Sequence, residues 1–435
     1  MVSRRVEAWG RLSSEPHDWL PLTDRAQVAA AIKGGRGLVF GNGRSYGDVC
    51  LNPGGALWAA RGMDRFIAFD RDSGVIECEA GVTLRELIAV TLPQGWFVGV
   101  TPGTQDVTVG GAIANDVHGK NHHRGGSFGE HVEAIELCRT DGRVIECGPG
   151  QEEPWFRATV GGLGLTGLIT RARLRLRRVP GPWIDSEVLG FGSVAEFVQL
   201  SDASLADWEY TVAWIDCLAS RGQTLRGVLF RGNHVDDQRP LPARRDWRWP
   251  FTPPLSLVNG ASLRAFNALY LWRQRAAAGR RLRQPYVPFF YPLDGVADWN
   301  RIYGPRGFFQ YQCVLPPPDH EAATAELLEL IARSGSGSFL GVIKTFGTRA
   351  PAGLLSFPMP GITVALDFPN HGEATLRLFD RLNAIVQRAG GRLYPAKDAC
   401  MPRELFEQGY PRLAEFRAFR DRGMSSQLSR RLLGD

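Results

Sequence analysis

The sequence has no apolar run of 18 residues, so it predicts no helix that spans a membrane. Arg4 and Arg5 stand near the N-terminus, but no apolar stretch follows them, which argues against a secretory signal peptide. The expected location is therefore the cytoplasm or the periphery of a membrane.

Cysteine is scarce and widely spaced. The seven cysteines form no CxxC pair, which excludes a disulfide framework and a zinc site of closely spaced thiolates. An odd, scattered set is typical of reduced thiols in a reducing compartment. The cysteines stand at positions 50, 78, 138, 147, 217, 313 and 400.

Lysine is the rarest basic residue. Of the 51 basic residues only four are lysines, Lys33, Lys120, Lys344 and Lys397, and all the others are arginines. Arginine cannot deprotonate at physiological pH, and its planar fork differs in shape from an ammonium group. A lysine that persists in such a background is therefore a candidate for a chemical role.

The remaining composition describes a globular chain. The 435 residues are 44% hydrophobic and 22% charged, which excludes a disordered or collagen-like protein. The length predicts two or three structural units, and the net charge of +6 is modest for this size.

The first half of the chain is rich in glycine and in short strands. Strands are predicted at 38–40, 75–79 and 96–100, and a hairpin joins 133–138 to 144–147 through Asp141-Gly142. Thr83 and Glu86 form the pattern of a capping box, which predicts a helix from Thr83 to near Gly95. Together with further strands at 308–315, 342–346 and 362–368 and helices at 321–333 and 379–389, the pattern predicts an α+β fold.

A GxGxxG pattern occurs at Gly162, Gly164 and Gly167. A nicotinamide-binding motif requires a helix after these glycines. Here a strict alternation of arginine with apolar residues over 171–177 predicts a strand instead. We interpret the glycines as a tight turn between strands.

The loop 41–48 follows a buried strand and reads Gly-Asn-Gly-Arg-Ser-Tyr-Gly-Asp. Exposed backbone N–H groups in such a loop suit an anion such as a pyrophosphate, although an ordinary glycine-rich turn explains the loop equally well.

Residues 101–131 favour the binding interpretation. They are dense in glycine and small residues and also contain four of the eight histidines: His118, His122, His123 and His131. No acid or cysteine shares a ligand-like spacing with these histidines, and in an extended chain His122 and His123 would point to opposite sides, so no metal site is predicted. Small residues let the backbone approach a flat cofactor closely.

These segments together resemble a known family. Residues 41–48, 101–111, 115–123 and 161–167 are similar to the FAD-binding domain of the vanillyl-alcohol-oxidase (PCMH) superfamily. Within it, the chain is similar along nearly its whole length to the family of decaprenylphosphoryl-β-D-ribose 2-oxidases, the flavin half of the epimerase that makes the arabinose donor of mycobacterial cell walls. The similar motifs are DVHGKNHH at 116–123, FQYQ at 309–312, IKTFG at 343–347 and LYPAKD at 393–398.

The resemblance implies a two-part PCMH-type FAD-binding domain with an inserted substrate domain. Residues 1–178 would form the FAD-binding domain, and 393–435 would return to it. Residues 179–392 would form the substrate-binding domain, built on an antiparallel sheet flanked by helices.

The resemblance also implies the site residues. The family's flavin contacts, together with the glycines of the first loop, map onto Gly41, Gly43, Arg44, Ser45, Tyr46, Gly47, Gly103, Thr108, Gly110, Gly111, Asn115, His118, Ile169 and Tyr394. The substrate side maps onto His118, Lys120, Gln312, Lys344, Tyr394 and Lys397, which include three of the four lysines.

A secondary alcohol is oxidised when its C–H hydride moves to the flavin and its O–H proton leaves. Lys397 is the expected catalytic group, either as the base or as a cation that stabilises the developing alkoxide, and His118 is a rival base. Lys120, Lys344 and Gln312 are expected to hold sugar hydroxyls or phosphate. The wider superfamily often attaches FAD covalently through a histidine of the first glycine-rich loop. Loop 41–48 has no histidine, so non-covalent FAD is expected, as the resemblance to the ribose oxidases implies.

The function implied by the resemblance is oxidation of the 2-hydroxyl of a polyprenyl-phosphoryl pentose to a 2-keto sugar. A separate NAD(P)H-dependent ketoreductase would complete the epimerisation to the arabinose form, and a quinone is the implied electron acceptor. Two alternatives remain open: an FAD-dependent oxidase of a free sugar or polyol, similar to alditol oxidase, and a non-catalytic protein that binds flavin or a polyanion.

Residues 239–285 contain ten arginines and one acid, Asp246, interleaved with aromatic residues. This segment is either a solvated, partly disordered insertion or a mobile basic lid that meets anionic lipid or a polyprenyl tail. No nucleic-acid partner is predicted, because the basic patch is one loop with no recognisable binding fold.

One position departs from the family. Mycobacterial members have a cysteine where this chain has Ala365, so inhibitors that require that thiol are not expected to attach.

Overall fold

The structure is a computed structural model that describes residues 2–219, 224–237, 239–243 and 247–434. The strands are β1 (Val2–Val6), β2 (Glu15–Pro21), β3 (Gly37–Phe40), β4 (Ala56–Ala59), β5 (Phe66–Asp70), β6 (Val75–Glu79), β7 (Trp96–Phe97), β8 (Val132–Cys138), β9 (Val144–Cys147), β10 (Leu168–Arg175), β11 (Arg177–Arg178), β12 (Trp183–Ser193), β13 (Tyr210–Ile215), β14 (Thr224–Val235), β15 (Trp247–Arg248), β16 (Arg281–Pro285), β17 (Val296–Ala297), β18 (Phe308–Leu315), β19 (Gly341–Phe346), β20 (Gly361–Pro369) and β21 (Arg392–Leu393).

The helices are α1 (Val28–Ile32), α2 (Leu84–Thr91), α3 (Val109–Ala114), α4 (His122–Gly125), α5 (Glu153–Thr159), α6 (Val194–Asp202), α7 (Gly260–Ala276), α8 (Tyr286–Phe290), α9 (His320–Ser334), α10 (Glu373–Arg388), α11 (Arg403–Gly409), α12 (Leu413–Arg417) and α13 (Gln427–Leu433). Short 3₁₀ turns lie at Arg25–Gln27, Asp48–Cys50, Ala60–Gly62, Leu92–Gln94, Phe128–His131 and Trp299–Tyr303. Within the described residues, none of the helices is long and apolar enough to cross a bilayer.

Two sheets form in the first 175 residues. One has the order β1-β2-β4-β3, with β4 parallel to both β2 and β3, and the other is antiparallel with the order β5-β6-β10-β8-β9. The predicted hairpin is confirmed, and its Gly142 adopts the positive φ of 89° that the turn requires. The mixture of helices with mainly antiparallel sheets confirms the α+β class.

The alternation in β10 has the predicted consequence. Ala172 and Leu174 are buried beneath the sheet, whereas Arg171 pairs with Glu77 and Arg173 with Glu133 on its other face. The glycine-rich turn at 162–167 therefore leads into a strand, which confirms that it is not a nicotinamide-binding motif.

Helix α2 shows how local sequence sets element ends. Thr83 accepts a hydrogen bond from the Glu86 backbone N–H, and Glu86 accepts one from the Thr83 N–H, so the predicted capping box is present. A 3₁₀ turn extends the helix to Gly95, whose φ of 79° stops it.

An antiparallel sheet of eight strands occupies residues 183–393, in the order β16-β12-β14-β13-β19-β20-β18-β21. One face of β18, β19 and β20 packs on α9 and α10 through buried side chains such as Tyr311, Ile343 and Leu366. Because side chains alternate along a strand, the polar residues between them face the other way, toward the site described below.

The C-terminal part of the chain contacts both the eight-stranded sheet and the N-terminal part. β21 pairs with β18, Met424 forms a parallel bridge with Gly37 at the start of β3, and α13 packs on the 3₁₀ turn at Asp48–Cys50. We retain the predicted division into 1–178, 179–392 and 393–435 as a proposal.

Three local expectations differ from the structure. The strand predicted at 96–100 pairs only over Trp96–Phe97. His122 and His123 lie in the short helix α4 rather than in extended chain, because the Asn121 carbonyl accepts from the backbone N–H groups of residues 124 and 125. The basic segment 239–285 contains the helix α7, and its residues 244–246, including Asp246, lie outside the described part of the chain.

Candidate active site

A cavity of about 1010 Å³ lies between the glycine-rich loops of the first half and the polar face of the eight-stranded sheet. This volume is at the upper end of the range for small-molecule and cofactor sites. Loops 41–46 and 101–119 line one side, and β18, β19 and β20 line the other.

Glycine is required where the loops meet. Thr108 caps α3 by accepting a hydrogen bond from the Gly111 N–H at 3.1 Å. A Cβ at Gly41 would lie 2.6 Å from the same Thr108 oxygen. A Cβ at Gly103, which lines the cavity, would instead meet no atom within 4 Å. Gly41 therefore permits close packing of the two loops, and Gly103 leaves cavity space that a side chain would fill.

The structure brings nearly all the residues implied by the family resemblance to this cavity. Gly47 does not line it, because Gly47 packs against the backbone of Asp398, where a Cβ would have no space. The predicted cofactor residues that do line it are Gly41, Gly43, Arg44, Ser45, Tyr46, Gly103, Thr108, Gly110, Gly111, Asn115, His118, Ile169 and Tyr394. The predicted substrate residues Lys120, Gln312, Lys344 and Lys397 line it as well.

Among the described residues, three buried polar atoms of the cavity wall have no hydrogen-bond partner: Arg44 Nε, Asn115 Oδ1 and His118 Nδ1. Burying such atoms without a partner is costly, so a ligand with complementary polar groups would stabilise the wall. A large cofactor with a charged diphosphate and hydrogen-bonding ring edges has this chemistry. The cavity residues therefore fit FAD.

His118 is held in place from several sides. Its Nε2 accepts a hydrogen bond from the Gln312 amide at 2.9 Å, and its ring lies among Phe346, Phe357 and Tyr394. Burial and the nearby lysine charge of Lys344 hold the pKa of His118 well below its usual value, so the ring is neutral near pH 7.

Asp116 anchors the turn that precedes His118. Its buried carboxylate accepts hydrogen bonds from Ser127 Oγ at 2.7 Å, from the Gly129 N–H at 2.8 Å and from Ser356 Oγ. These bonds hold Asp116 at a positive φ of 40°, a strained conformation for a residue with a side chain. The turn thus presents the backbone of residues 117–120 to the cavity.

Three lysines line the cavity, and each influences the next electrostatically. Burial, together with repulsion from a neighbouring lysine, lowers the pKa of Lys120 and of Lys344 to about 7. The neighbour is Lys344 for Lys120 and Lys397 for Lys344. Burial also lowers the pKa of Lys397, to about 8, against the opposing effect of Asp367. Lys33, the fourth lysine, is exposed on the surface.

Each lysine has a defined neighbourhood. Lys120 donates to the Phe289 carbonyl, and its ammonium lies 4.7 Å from the Phe289 ring centroid. Lys344 donates to the Gly119 carbonyl at 3.3 Å. Lys397 Nζ lies 4.0 Å from the centroid of the Tyr46 ring. Two of the three amines are thus held by main-chain oxygens, whereas the Lys397 amine lies over an aromatic ring and feels the charge of Asp367.

Sequence reasoning missed a buried acid beside this cluster. Asp367 accepts a hydrogen bond from the Gln310 amide at 2.7 Å, while its Oδ2 has no partner among the described residues. Burial raises the pKa of Asp367 to about 7. Gln310 belongs to the same FQYQ motif as Gln312, and the two-residue spacing along β18 was the signal that both face the cavity.

Sequence reasoning also missed two side-chain hydrogen bonds at the cavity. Gln312 donates to Thr363 Oγ1 at 3.2 Å, because β18 and β20 are paired neighbours. Thr101 Oγ1 and Tyr291 Oη lie 2.7 Å apart at the aromatic end of the cavity. Neither pair is near in sequence, so only the strand register and the loop packing reveal them.

The other histidines of the 101–131 stretch bind to the protein itself. His122 Nδ1 accepts from the Gly347 N–H at 3.2 Å, and His123 and His131 bond to the carbonyls of Trp208 and Gly125. Within the described ranges, no three His, Cys, Asp or Glu side chains are grouped as metal ligands.

Similarity to known proteins agrees with this geometry. The model of a family described as an FAD binding domain matches residues 23–148. The chain is 38% identical over 455 aligned positions to decaprenylphosphoryl-beta-D-ribose oxidase of Mycolicibacterium smegmatis, covering 99% of this chain and 98% of that protein. It is 35% identical over 380 positions to an uncharacterized Streptomyces coelicolor protein encoded in the mprA 5′ region, covering 81% of this chain and all of that protein (100%).

A more distant match covers only part of the chain. Mouse L-gulonolactone oxidase is 30% identical over 139 positions, which is 32% of this chain and 31% of that protein. The shared part is about a third of the chain, whereas the mycobacterial protein matches from end to end. The chain is therefore an FAD-dependent oxidoreductase that acts on a CH–OH group, and it belongs to the family of decaprenylphosphoryl-β-D-ribose oxidases.

Proposed function

We propose that the protein oxidises the 2-hydroxyl of a polyprenyl-phosphoryl pentose, similar to decaprenylphosphoryl-ribose, to the 2-keto sugar. The observation that carries the proposal is the convergence of Lys120, Lys344 and Lys397, in a chain with four lysines, on the same cavity. Amines with pKa values of about 7 to 8 can both bind an anionic sugar phosphate and exchange protons near neutral pH.

We propose that Lys397 is the base. FAD, when bound, accepts the hydride from the sugar carbon, and the alcohol proton must then pass to a protein group. Neutral Lys397 has a free lone pair for that proton, and the cavity wall holds it beside Tyr46. His118 suits the role less well, because its Nε2 already accepts the Gln312 hydrogen bond and its Nδ1 carries the ring proton. His118 is instead proposed to donate from Nδ1 to the cofactor or substrate.

The remaining polar residues are proposed to orient the substrate. Lys120 and Lys344 supply positive charge on the same wall as the Gln312 amide, which suits a phosphate and the neighbouring hydroxyls. The predicted contacts of loops 41–46 and 103–115 with FAD, and of Ile169 and Tyr394, are part of the same proposal. We also propose that FAD is bound non-covalently, since the one histidine among the described cavity-lining residues is His118, whose ring is packed and hydrogen-bonded.

Oxidation alone does not invert the sugar carbon. A second enzyme must return a hydride to the opposite face, and we propose a separate NAD(P)H-dependent ketoreductase, because the GxGxxG turn of this chain leads into a strand. A quinone is the proposed acceptor for the electrons of the reduced flavin. For a lipid-linked substrate, the expected place of work is the cytoplasm or a membrane surface.

The test is anaerobic bleaching of the bound flavin, followed by visible absorption. Prenyl-phosphoryl ribose should bleach the wild-type flavin, and Lys397→Met should keep the flavin spectrum but slow bleaching by about 10²- to 10⁴-fold, the usual contribution of a general base. Lys33→Met is the matched control and should bleach at the wild-type rate. Bleaching of Lys397→Met at the wild-type rate would disprove the role of Lys397.

A second arm tests the substrate class. Free polyols such as xylitol should neither bleach the flavin nor yield hydrogen peroxide. Rapid bleaching by polyols with peroxide formation would replace the proposed substrate with a free polyol, and bleaching by no alcohol at all would favour a non-catalytic flavin-binding protein. Acid precipitation should release the flavin into the supernatant; flavin retained in the pellet would show a covalent bond.

A further inference from the structure

Exposed apolar side chains are concentrated in one segment of the described chain. The described chain has fifteen exposed large hydrophobic side chains, and eight of them lie within residues 247–282. Isolated exposed apolar residues are ordinary, but a contiguous group marks an interaction surface. The eight are Trp247, Phe251, Leu255, Leu257, Phe266, Leu269, Trp272 and Leu282.

Helix α7 has apolar residues on both faces. Leu263, Asn267 and Leu271 are buried against the eight-stranded sheet. On the opposite face, Leu269 is 64% exposed and Trp272 is 69% exposed. Residues three apart lie on one side of a helix, and the outward side of a surface helix is ordinarily polar. The outer face of α7 is therefore built to contact something apolar.

The segment that carries this face has charge of one sign, although Arg248 pairs with Asp298 and Arg283 with Asp185 and Asp237 from neighbouring elements. Residues 247–285 contain seven arginines and no aspartate or glutamate. All seven arginines are exposed, and they stand at positions 248, 264, 273, 275, 280, 281 and 283. Exposed tryptophan and leucine flanked by arginines, without acids, match the interfacial zone of a bilayer with anionic headgroups.

The same helix forms part of the cavity wall. Tyr270, Arg273 and Gln274 line the cavity and are adjacent in sequence to the outward Leu269 and Trp272. Trp247 and Leu282 are exposed and also line the cavity. The cavity thus opens beside the apolar, basic surface.

We propose that the outer face of α7, with the exposed residues of 247–283 around it, binds an anionic lipid bilayer and places the cavity opening at the membrane surface. If the proposed function holds, a lipid-linked sugar would then enter the cavity while its polyprenyl tail stays in the bilayer. The charge pattern selects anionic lipid over a second copy of this chain, because the segment has seven arginines and no acid of its own, and two copies of such an arginine-rich segment repel each other.

The test is sedimentation of the FAD-loaded protein with phosphatidylcholine vesicles, with and without phosphatidylglycerol. The wild type should bind the anionic vesicles at least about tenfold more tightly, and salt should weaken that binding. Leu269→Gln/Trp272→Gln should lower binding by at least about tenfold, since two side chains lose their burial in lipid. Ile67→Gln/Val144→Gln, two exposed apolar positions outside the segment, is the matched control and should bind like the wild type.

Equal binding of Leu269→Gln/Trp272→Gln and wild type would overturn the proposal, as would failure of the wild type to bind anionic vesicles. Sedimentation velocity tests the alternative that a second copy of the chain covers this face. If the wild type self-associates, the variant is monomeric and neither binds vesicles, the face is a dimer interface instead.

Flavin bleaching distinguishes failure of the membrane-binding proposal from failure of the proposed function. Neither Leu269 nor Trp272 lines the cavity, so the variant should bleach normally with a short-chain soluble substrate and slowly with a substrate embedded in vesicles. Vesicle binding that persists while no phospho-pentose bleaches the flavin would refute the proposed function and leave the membrane surface standing.

Discussion

The pH dependence of flavin reduction follows from the environment of Lys397. A base must be neutral before it accepts the substrate proton, and burial lowers the pKa of Lys397 to about 8. With that pKa, the neutral fraction is about 1% at pH 6, about 9% at pH 7 and about half at pH 8. The rate of flavin reduction should therefore rise about fiftyfold from pH 6 to pH 8 and less than about twofold from pH 8 to pH 10.

The assay is anaerobic stopped-flow bleaching at saturating substrate, so that one hydride transfer is observed without the electron acceptor. Lys33→Met is the control and should give the same profile, because Lys33 lies on the surface. A rate that stays flat from pH 6 to pH 8, or that falls above pH 8, would show that the charged ammonium is the active form and would refute Lys397 as the base.

The buried acid beside the cluster provides an independent check. Asp367 raises the pKa of Lys397 by favouring its charged form. Asp367→Asn removes that negative charge, so the pKa of Lys397 should fall and the inflection of the profile should move to lower pH. An inflection that stays in place or moves to higher pH would show that Asp367 does not act on Lys397.

Three further predictions concern the scaffold and the cavity wall. Gly41→Val should reduce the flavin content of the purified protein, measured by absorbance, because its side chain would collide with Thr108; unchanged flavin content would contradict the packing at this loop. Ala365→Cys should place a thiol on the cavity wall, and maleimide should label it, as detected by mass spectrometry, only before FAD or substrate is added. Labelling at the same rate with and without FAD or substrate would show that residue 365 does not line the cavity. Asp116→Ala should lower the free energy of unfolding by about 2–3 kcal/mol in urea titrations, because two hydroxyls and one N–H lose their buried acceptor; a change below about 0.5 kcal/mol would contradict that account.

The elements that local sequence specifies were predicted well. The capping box at Thr83, the stop at Gly95 and the strands Val75–Glu79 and Phe308–Leu315 depend on side chains that are near each other in sequence. The strand predicted at 96–100 was too long, because pairing ends where its partner strand β11 ends after two residues. A strand requires a partner, and no local pattern specifies how long that partner is.

The candidate site divides in the same way. The rarity of lysine, the loop 41–48 and the small residues after Thr101 point to the site from the sequence itself, and three of the four lysines indeed line the cavity. Asp367 was missed because an acid in a strand is unremarkable until burial and the neighbouring Lys397 are known. The sequence indicated the basic, aromatic segment 239–285, but only the structure shows which apolar residues of α7 are buried and which face outward.

The sequence by itself determined the α+β class, because periodicities are properties of neighbouring residues. Its motifs, through their resemblance to a known family, also supplied the FAD-binding assignment and the candidate cofactor and substrate residues of the cavity. Only the tertiary structure decided how the amines are tuned and which polar atoms remain unpartnered. Those properties arise from burial and from charges that residues far apart in the chain bring together: Gly119 with Lys344, Gln312 with His118, and Asp367 with Lys397. Electrostatic energies depend on distance and solvent exposure, and both are set by the folded arrangement rather than by the order of residues.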